Sequence, residues 1–168
     1  MATPLPRDPI ADARGNWERH GWSEVAAPMA AVTAIMRTQQ ILLARIEGVL
    51  KPFGLTFARY ELLTLLSFAR SGALPMNKAS ALLQVHPTSV TNAVDRLQDA
   101  GLVIRSPHPT DGRTTLIGLT REGRTLARQA TLALNSAVFA QSGFGEQDID
   151  ELIRILGSFR RNAGDFSG

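Results

Sequence analysis

The sequence of 168 residues contains no cysteine. This absence excludes disulfide bonds, thiolate metal ligands and cysteine nucleophiles, so we expect any sensing by this chain to be non-covalent. Lysine is also scarce, because Lys51 and Lys78 are the only lysines among 18 basic residues. The planar guanidinium of arginine suits paired hydrogen bonds to phosphate or guanine, although the base composition of the genome explains such a bias equally well.

Long apolar runs are missing as well. The uncharged stretches 25–36 and 129–145 are too short or too polar for the roughly 20 apolar residues that a membrane-spanning helix needs. Near the N-terminus, two prolines are followed by Arg7 and Asp8, where a secretory signal would have an unbroken apolar core. The sequence therefore predicts a cytoplasmic protein without a membrane partner.

The composition is that of a packed globular protein, with 44% hydrophobic and 20% charged residues and a net charge of only +3. It carries no glycine-rich phosphate loop, metal-ligand cluster or nucleophile elbow. His86 and Ser89 lie at a predicted helix start while Asp95 lies two turns later, so they do not form a catalytic triad. We predict that the chain is not an enzyme and uses no metal or cofactor.

Apolar periodicity predicts a mainly helical fold with one small hairpin. Residues 102–106 and 114–120 alternate as two strands joined by a polar turn containing Asp-Gly. The predicted helices cover residues 10–20, 28–51, 57–70, 77–84, 87–100, 121–141 and 146–161.

The helix over residues 87–100 carries most of the functional signal. A short helix, a break at 85–87, this second helix and a basic hairpin follow the chain order of a winged helix-turn-helix, whose second helix enters the major groove of DNA. Its apolar and polar residues fall on opposite faces, the first set comprising Val90, Ala93, Val94 and Leu97 and the second Thr88, Asn92, Asp95 and Asp99.

The stretch VHPTSVTNAVDRLQDAGLVIRSPHPTDGRTTLIGLTREG resembles the MarR family of bacterial transcription regulators. The resemblance rests on the S/T-x-V-T-x-x-V-D-R-L helix, the GLV strand entry, the D-x-R wing tip and the L-T-x-x-G helix start. GLTFARYELLTLL is similar to the helix before them. One departure is Gln84, which occupies a turn position where many helix-turn-helix units have glycine. A glutamine would adopt a left-handed conformation there only at some cost, so a differently shaped turn is the alternative.

The resemblance implies a winged helix-turn-helix lobe attached to a helical dimerisation region. On that basis the chain divides into an N-terminal extension with a short helix (1–22), a first dimerisation helix and loop (23–54), the winged lobe (55–119), C-terminal dimerisation helices (120–163) and a tail (164–168). The extension lies outside the family pattern. The resemblance also implies a homodimer that binds a pseudo-palindromic operator with half-sites about one helical turn apart, as expected for a repressor.

The predicted DNA contacts lie on the helix pair and in the wing. Small hydroxyl and amide groups at the start of the second helix can approach base edges, and the start of the first helix can contact phosphate. The predicted DNA-binding residues are Asn77, Lys78, His86, Thr88, Ser89, Thr91, Asn92, Arg96 and Arg113.

The wing arginines have two equally weighted roles. Arg113 can enter the minor groove, where narrow A·T tracts concentrate negative potential. Alternatively, Arg113 pairs with Asp95 and Arg96 pairs with Asp111, in which case both acidic residues brace the wing, as the resemblance implies.

A small aromatic or anionic effector is a further partner that the resemblance implies, bound between the dimerisation helices and the lobe. The predicted lining residues are Trp22, Met36, Phe57, Arg59 and Tyr60, each of which also has an ordinary packing role. The alternative function is a winged-helix module for protein contacts or for non-specific DNA compaction. Polar residues at the tip of the second helix favour specific DNA binding, because a protein-binding version needs apolar anchors there.

Overall fold

The computed structural model describes residues 4–111 and 113–167. Residues 1–3 of the predicted extension, Gly112 of the predicted wing turn and the last residue of the predicted tail lie outside the described residues. Within the described part of the chain, no helix combines the length and apolarity needed to span a bilayer.

The predicted fold class is confirmed, because helices form most of the molecule and a small antiparallel sheet forms the wing. A short 3-10 turn at Lys51–Phe53 separates the second and third helices. The helices are α1 (Pro9–Arg19), α2 (Ser23–Leu50), α3 (Phe57–Phe68), α4 (Met76–Leu83), α5 (Pro87–Asp99), α6 (Arg121–Leu134) and α7 (Glu146–Asn162), and the strands are β1 (Ala73–Pro75), β2 (Val103–Pro107) and β3 (Thr115–Leu119).

Helices α1 and α2 pack against each other near the N-terminus. Asp8 begins α1 by accepting a hydrogen bond from the backbone nitrogen of Ile10 at 2.9 Å. The predicted start of the second helix at Pro28 is wrong, because α2 begins at Ser23 and includes the proline. Proline removes only one backbone hydrogen bond so near a helix start, and packing of Ala26, 1% exposed, helps to hold this turn in helical form.

The wing is larger than the predicted hairpin. Within the described residues the sheet has three antiparallel strands in the order β1-β3-β2. The added strand β1 pairs Ala73 with Gly118 and Pro75 with Leu116. Proline cannot donate to a neighbouring strand, so Pro75 is tolerated because β1 lies at the edge of the sheet.

A continuous apolar core joins α3, α5 and the sheet. Leu62, Leu63 and Leu66 of α3 are fully buried, as is Ile117 of β3. The predicted apolar face of α5 packs into this core through Val90, Val94 and Leu97. The elements from α3 through β3 lie within residues 55–119, for which we keep the name winged lobe.

The junction between the lobe and α6 depends on one glycine. Thr120 caps α6, and its hydroxyl oxygen accepts from the backbone nitrogen of Gly123 at 2.9 Å. A Cβ on Gly123 would lie 2.0 Å from the carbonyl oxygen of Leu102. The glycine of the L-T-x-x-G pattern therefore allows α6 to approach the start of β2 closely, and a side chain at this position would block that approach.

The C-terminal helices differ from the prediction at one point. The expected continuous helix over 121–141 is wrong in its last part, because α6 ends at Leu134 and a π-helical turn follows at Asn135–Phe139. Arg45 of α2 then holds the next loop by donating to the carbonyl oxygens of Gln141 at 2.6 Å and Ser142 at 3.1 Å. None of the residues of α7, all of which the structure describes, is buried in this single chain.

Candidate nucleic-acid interface

The helix-turn-helix consists of α4, the turn at 84–86, and α5. Gln84 ends α4 in the left-handed conformation, with φ 54° and ψ 37°, so the turn has the left-handed geometry even though its residue is not glycine. A residue with a Cβ pays about 1 kcal/mol or more for this geometry. Ser80 packs beneath the turn and donates from its hydroxyl to the carbonyl oxygen of Val85 at 2.7 Å.

His86 and Pro87 define the start of α5. The Nδ1 atom of His86 accepts a hydrogen bond from the backbone nitrogen of Thr88 at 3.3 Å, and Pro87 occupies the first helical position. Because Nδ1 accepts, a neutral ring carries its proton on Nε2. The cap therefore leaves one imidazole N–H available to a phosphate or base acceptor.

The first turns of α5 expose a neutral polar surface. Thr88, Ser89, Thr91 and Asn92 are all exposed, whereas Val90 between them is 2% exposed. The hydroxyl of Thr91 donates to the carbonyl oxygen of Pro87 at 3.0 Å, so its oxygen remains an acceptor. These short side chains beside a helix N-terminus can approach a polyanion closely without a repelling charge.

The start of α4 supplies the second polar surface of the helix pair. Asn77 and Lys78 are both exposed in its first turn. The side-chain oxygen of Asn77 accepts a local hydrogen bond from the backbone nitrogen of Lys78 at 2.8 Å. Lys78 is thus presented from a fixed backbone, as a phosphate contact requires.

The wing is braced by an arginine that the sequence interpretation missed. Asp95 of α5 pairs with Arg105 of β2 at 2.5 Å, and Arg105 also donates to the side-chain oxygen of Gln98 at 3.1 Å. Among the described residues, the predicted ion pair of Asp95 with Arg113 is not formed, so that alternative is wrong. Arg113 lies beyond the end of β2, whereas Arg105 lies within the strand beside α5.

The wing tip forms its own small network around Asp111. Its carboxylate accepts from the hydroxyl of Thr114 at 2.7 Å and from the backbone nitrogen of Arg113 at 3.1 Å. These hydrogen bonds, with the Thr114 hydroxyl contributing most, lower the pKa of Asp111. The alternative pairing of Asp111 with Arg96 is likewise not formed among the described residues, and both Arg96 and Arg113 are exposed.

Strand alternation could have identified Arg105. It pairs in register with Ile117, which is fully buried, while the neighbouring Ile104 is 56% exposed. Paired residues of antiparallel strands share a face, so Arg105 points toward the lobe. An inward-facing cation needs a polar partner. Asp95 and Gln98 are three residues apart on α5, so both side chains lie on the same helix face and can bind Arg105.

The carboxylate of Glu61 lies beside the exposed start of α5. Glu61 of α3 and Ser89 of α5 line the same narrow cleft between the two helices. Partial burial raises the pKa of Glu61.

A separate apolar cavity of about 430 Å³ lies between α2, the start of α3 and α7. Phe57 is the one predicted effector residue that lines it, and Leu42, Ile46 and Leu152 add apolar side chains that the prediction did not include. Amphipathic periodicity gives no signal for such a cavity, because the same residues serve as ordinary helix-packing positions.

The other predicted effector residues are dispersed. Tyr60 is 6% exposed, and its hydroxyl hydrogen-bonds the Thr131 hydroxyl at 3.1 Å on the core side of Phe57. Arg59 donates to the hydroxyl oxygen of Thr56 at 3.1 Å. Met36 is exposed on α2, and Trp22 packs edge-on against Trp17 at the α1–α2 corner, with 5.4 Å between the ring centroids.

Comparison with known proteins gives a consistent result. A model of the MarR family matches residues 53–114. The structure of Sco5413, a MarR family transcriptional regulator from Streptomyces coelicolor, is 48% identical in sequence and superimposes with a TM-score of 0.76. The match covers 84% of this chain and 99% of that one.

Two further proteins are similar over part of the chain. The HTH-type transcriptional regulator YhbI of Bacillus subtilis is 35% identical over 99 residues, which span 59% of this chain and 61% of that relative. Sco3205, another MarR family regulator from Streptomyces coelicolor, was solved in complex with DNA. It is 22% identical with a TM-score of 0.71, covers 79% of this chain and 88% of its own, and therefore supports the fold alone.

Proposed function

The chain belongs to the MarR family of transcriptional regulators, and from that premise we propose that it is a cytoplasmic repressor that binds a pseudo-palindromic operator as a homodimer. The observation that carries the proposal is the neutral, hydroxyl-rich tip of α5. It is exposed on a helix whose other face is anchored in the core of the lobe by Val90, Val94 and Leu97. A rigid polar helix end of this kind suits direct reading of base edges.

Base reading is assigned to the tip of α5. Asn92 can form paired hydrogen bonds with adenine, while Thr88, Ser89 and Thr91 contact neighbouring edges. His86 offers its remaining N–H to phosphate or base, and Asn77 and Lys78 contact the backbone. Arg96 is exposed further along α5 and suits a phosphate contact.

The wing is assigned to the adjacent minor groove. Because Asp95 is paired with Arg105, Arg113 is left exposed at the tip of the wing, where it can enter the groove. The hydrogen bonds around Asp111 support this role because they stiffen the turn that carries Arg113. A stiff tip loses less conformational freedom on binding than a loose one.

A second copy of the chain accounts for the apolar surface of α2 and α7, which we call the outer helices. Val32 on α2 is 63% exposed, and Phe159 on α7 is 71% exposed. Large exposed apolar side chains on several helices are typical of protein interfaces. Two-fold pairing through these helices presents two α5 tips to one duplex, which matches a pseudo-palindromic operator.

Release by a small aromatic or anionic effector is assigned to the cavity between α2, α3 and α7. Its lining is mostly apolar, with Thr38 and Gln39 as polar groups, so it suits an aromatic body better than a bare anion. Release requires only that the effector bind one spacing of the two lobes more tightly than the other.

Selection of bound sequences from a random duplex pool tests the proposal. The chain should enrich a palindrome and prefer it over random DNA by about a thousandfold or more. Asn92→Ala should relax the preference at one position in each half-site, at about 1–3 kcal/mol per contact. Thr125→Ala, on an exposed position of α6, is the matched control and should leave the selected sequence unchanged.

The alternative functions give different results in the same experiment. Binding without an enriched sequence indicates DNA compaction, and absence of duplex binding indicates a protein-contact module. Either outcome contradicts the proposed function. Addition of candidate aromatic acids to the bound complex then tests effector release separately.

A further inference from the structure

The C-terminal segment folds back onto the helix-turn-helix. After α7 ends at Asn162, the backbone nitrogen of Asp165 donates to the carbonyl oxygen of Arg160 at 3.0 Å, which closes a tight turn. This turn brings Asp165 beside Gln84, the residue that follows α4. The end of the outer helix α7 thus contacts the turn that precedes α5.

Three side chains at this contact form a closed hydrogen-bonded ring. The Nε2 atom of Gln84 donates to the Asp165 carboxylate at 2.8 Å and to the Asp165 carbonyl oxygen at 3.1 Å. Arg160 donates to the Oε1 atom of Gln84 at 3.2 Å and to the Asp165 carboxylate at 2.6 Å. Both polar atoms of the Gln84 amide are therefore bound to the C-terminal segment.

The aromatic side chain of Phe166 packs against two arginines beside this hydrogen-bonded network. The guanidinium of Arg160 lies over the ring of Phe166, 5.4 Å from its centroid, and that of Arg161 lies at the same distance. Such cation–π contacts favour a defined position of the segment over a freely moving one. We call residues 160–166 the C-terminal clamp.

The clamp acts at the one strained backbone position of the lobe. Among residues 4–111 and 113–167, Gln84 is the only non-glycine residue with positive φ. Glycine would adopt this conformation without cost, so the turn itself does not need a glutamine. The glutamine side chain does, however, make the bonds to the clamp.

We propose that Gln84, Arg160 and Asp165 are positioning residues that fix α5, the helix that reads DNA, relative to α7. The inference rests on the proposed function, since it assigns these residues a role in operator binding. If α7 lies in the dimer interface, a fixed link from α7 to the turn fixes the distance between the two α5 tips. The clamp then makes the dimer selective for one spacing of half-sites.

Operators of different spacing test the clamp in the folded 168-residue chain. One base pair inserted between the half-sites displaces and rotates one of them by about a tenth of a helical turn. The readout is the ratio of Kd for the inserted operator to Kd for the selected one. Gln84→Gly and Asp165→Ala should each lower this ratio about fivefold or more, because the two lobes can then adjust their separation.

A matched control and a stability measurement separate positioning from folding. Arg154→Ala removes another exposed ion pair of α7, the one with Glu151, and should leave the ratio unchanged. Gln84→Gly should not lower the melting temperature, because relief of the left-handed strain offsets the lost hydrogen bonds. An unchanged ratio in Gln84→Gly or in Asp165→Ala overturns the clamp.

Hydrogen exchange tests the clamp without DNA. The backbone amides of Gln84 and Val85 donate to the carbonyl oxygens of Ala81 and Ser80, so their exchange reports opening of the turn. Asp165→Ala should speed their exchange about fivefold or more, and Arg154→Ala should not. If the wild-type chain selects no operator, the proposed function fails, and this exchange result still decides whether the clamp exists.

Discussion

The winged lobe and the outer helices differ in how far a single chain buries their apolar side chains. In the lobe, Leu62, Leu66 and Val94 are fully buried within one chain. On the outer helices, Ile153 of α7 is 65% exposed and Met36 of α2 is 57% exposed. The apolar side chains that anchor the lobe are therefore buried within one chain, whereas the outer helices leave apolar surface for another partner.

This difference separates two tasks within one sequence. Because Val90, Val94 and Leu97 anchor α5 in the core, the lobe can hold the tip of α5 rigidly, which is what base reading needs. The outer helices, with their cavity and exposed apolar surface, can rearrange because less packing fixes them. Substitutions should therefore act on stability in the lobe and on association in the outer helices.

The largest expected effect comes from Gly123→Ala at the lobe junction. The added Cβ would meet the carbonyl oxygen of Leu102 at 2.0 Å, so backbone must shift. We expect a loss of roughly 3 kcal/mol in the free energy of unfolding, measured by chemical denaturation. The control is Gly48→Ala in α2, where a Cβ meets nothing within 4 Å, and a gain of about 0.5–1 kcal/mol is expected. Equal effects of both substitutions would contradict the close approach.

Ile153→Asp tests the apolar surface of the outer helices. If a second copy buries this side chain, a carboxylate there should weaken dimerisation by at least about tenfold, since burial of such a side chain contributes about 1.5–3 kcal/mol. Sedimentation equilibrium measures the change. The matched control is Ile104→Asp on the wing, because Ile104 is 56% exposed and the two side chains start from similar exposure. Dissociation by the control as well would place the interface elsewhere.

Arg105→Ala and Arg113→Ala should separate bracing from contact within the wing. Loss of Arg113 removes one proposed DNA contact, so the slope of log affinity against log salt should fall by about 1. Loss of Arg105 frees Asp95 and loosens the wing, so affinity should fall at every salt concentration with the slope unchanged. Filter binding over a salt series measures both, and a reduced slope for Arg105→Ala would assign it a direct contact.

The smallest expected effect is the pH dependence of Glu61→Gln. Burial raises the pKa of Glu61, so the folded chain disfavours the ionised side chain, and stability falls as pH rises through the folded pKa. Glutamine does not ionise, so the variant should gain in melting temperature relative to wild type at about pH 7 and lose that gain toward about pH 4. Glu47→Gln on the exposed surface of α2 is the control. A gain independent of pH would show that ionisation is not its cause.

The sequence predicted those parts of the molecule that are governed by local patterning. Its periodicity identified α5 and its buried face, and the chain order of elements identified the helix-turn-helix. The sequence placed Gln84 at the turn but left the conformation of the turn open, and the structure shows that it is left-handed. The position of His86 as the helix cap follows from Pro87, because proline favours the first helical position and so places the preceding residue at the cap.

Long-range contacts were not predictable in the same way. Strand β1 is only 3 residues long and contains proline, so its sequence carries no alternation to detect. The bonds between Gln84 and Asp165 join residues 81 positions apart, and no local pattern relates them. Arg105 is an intermediate case, since its inward position was readable once the strand register was known.

The corner between α1 and α2 gives the chain a built-in optical reporter. Trp17 and Trp22 are the only tryptophans in the sequence, and their rings are in contact at this corner. The ring of His20 stacks on Trp22, with 5.9 Å between the centroids. All indole emission from the chain therefore originates at one place, far along the sequence from α5, and a change in it on adding operator would report motion of the N-terminal helices without any attached label.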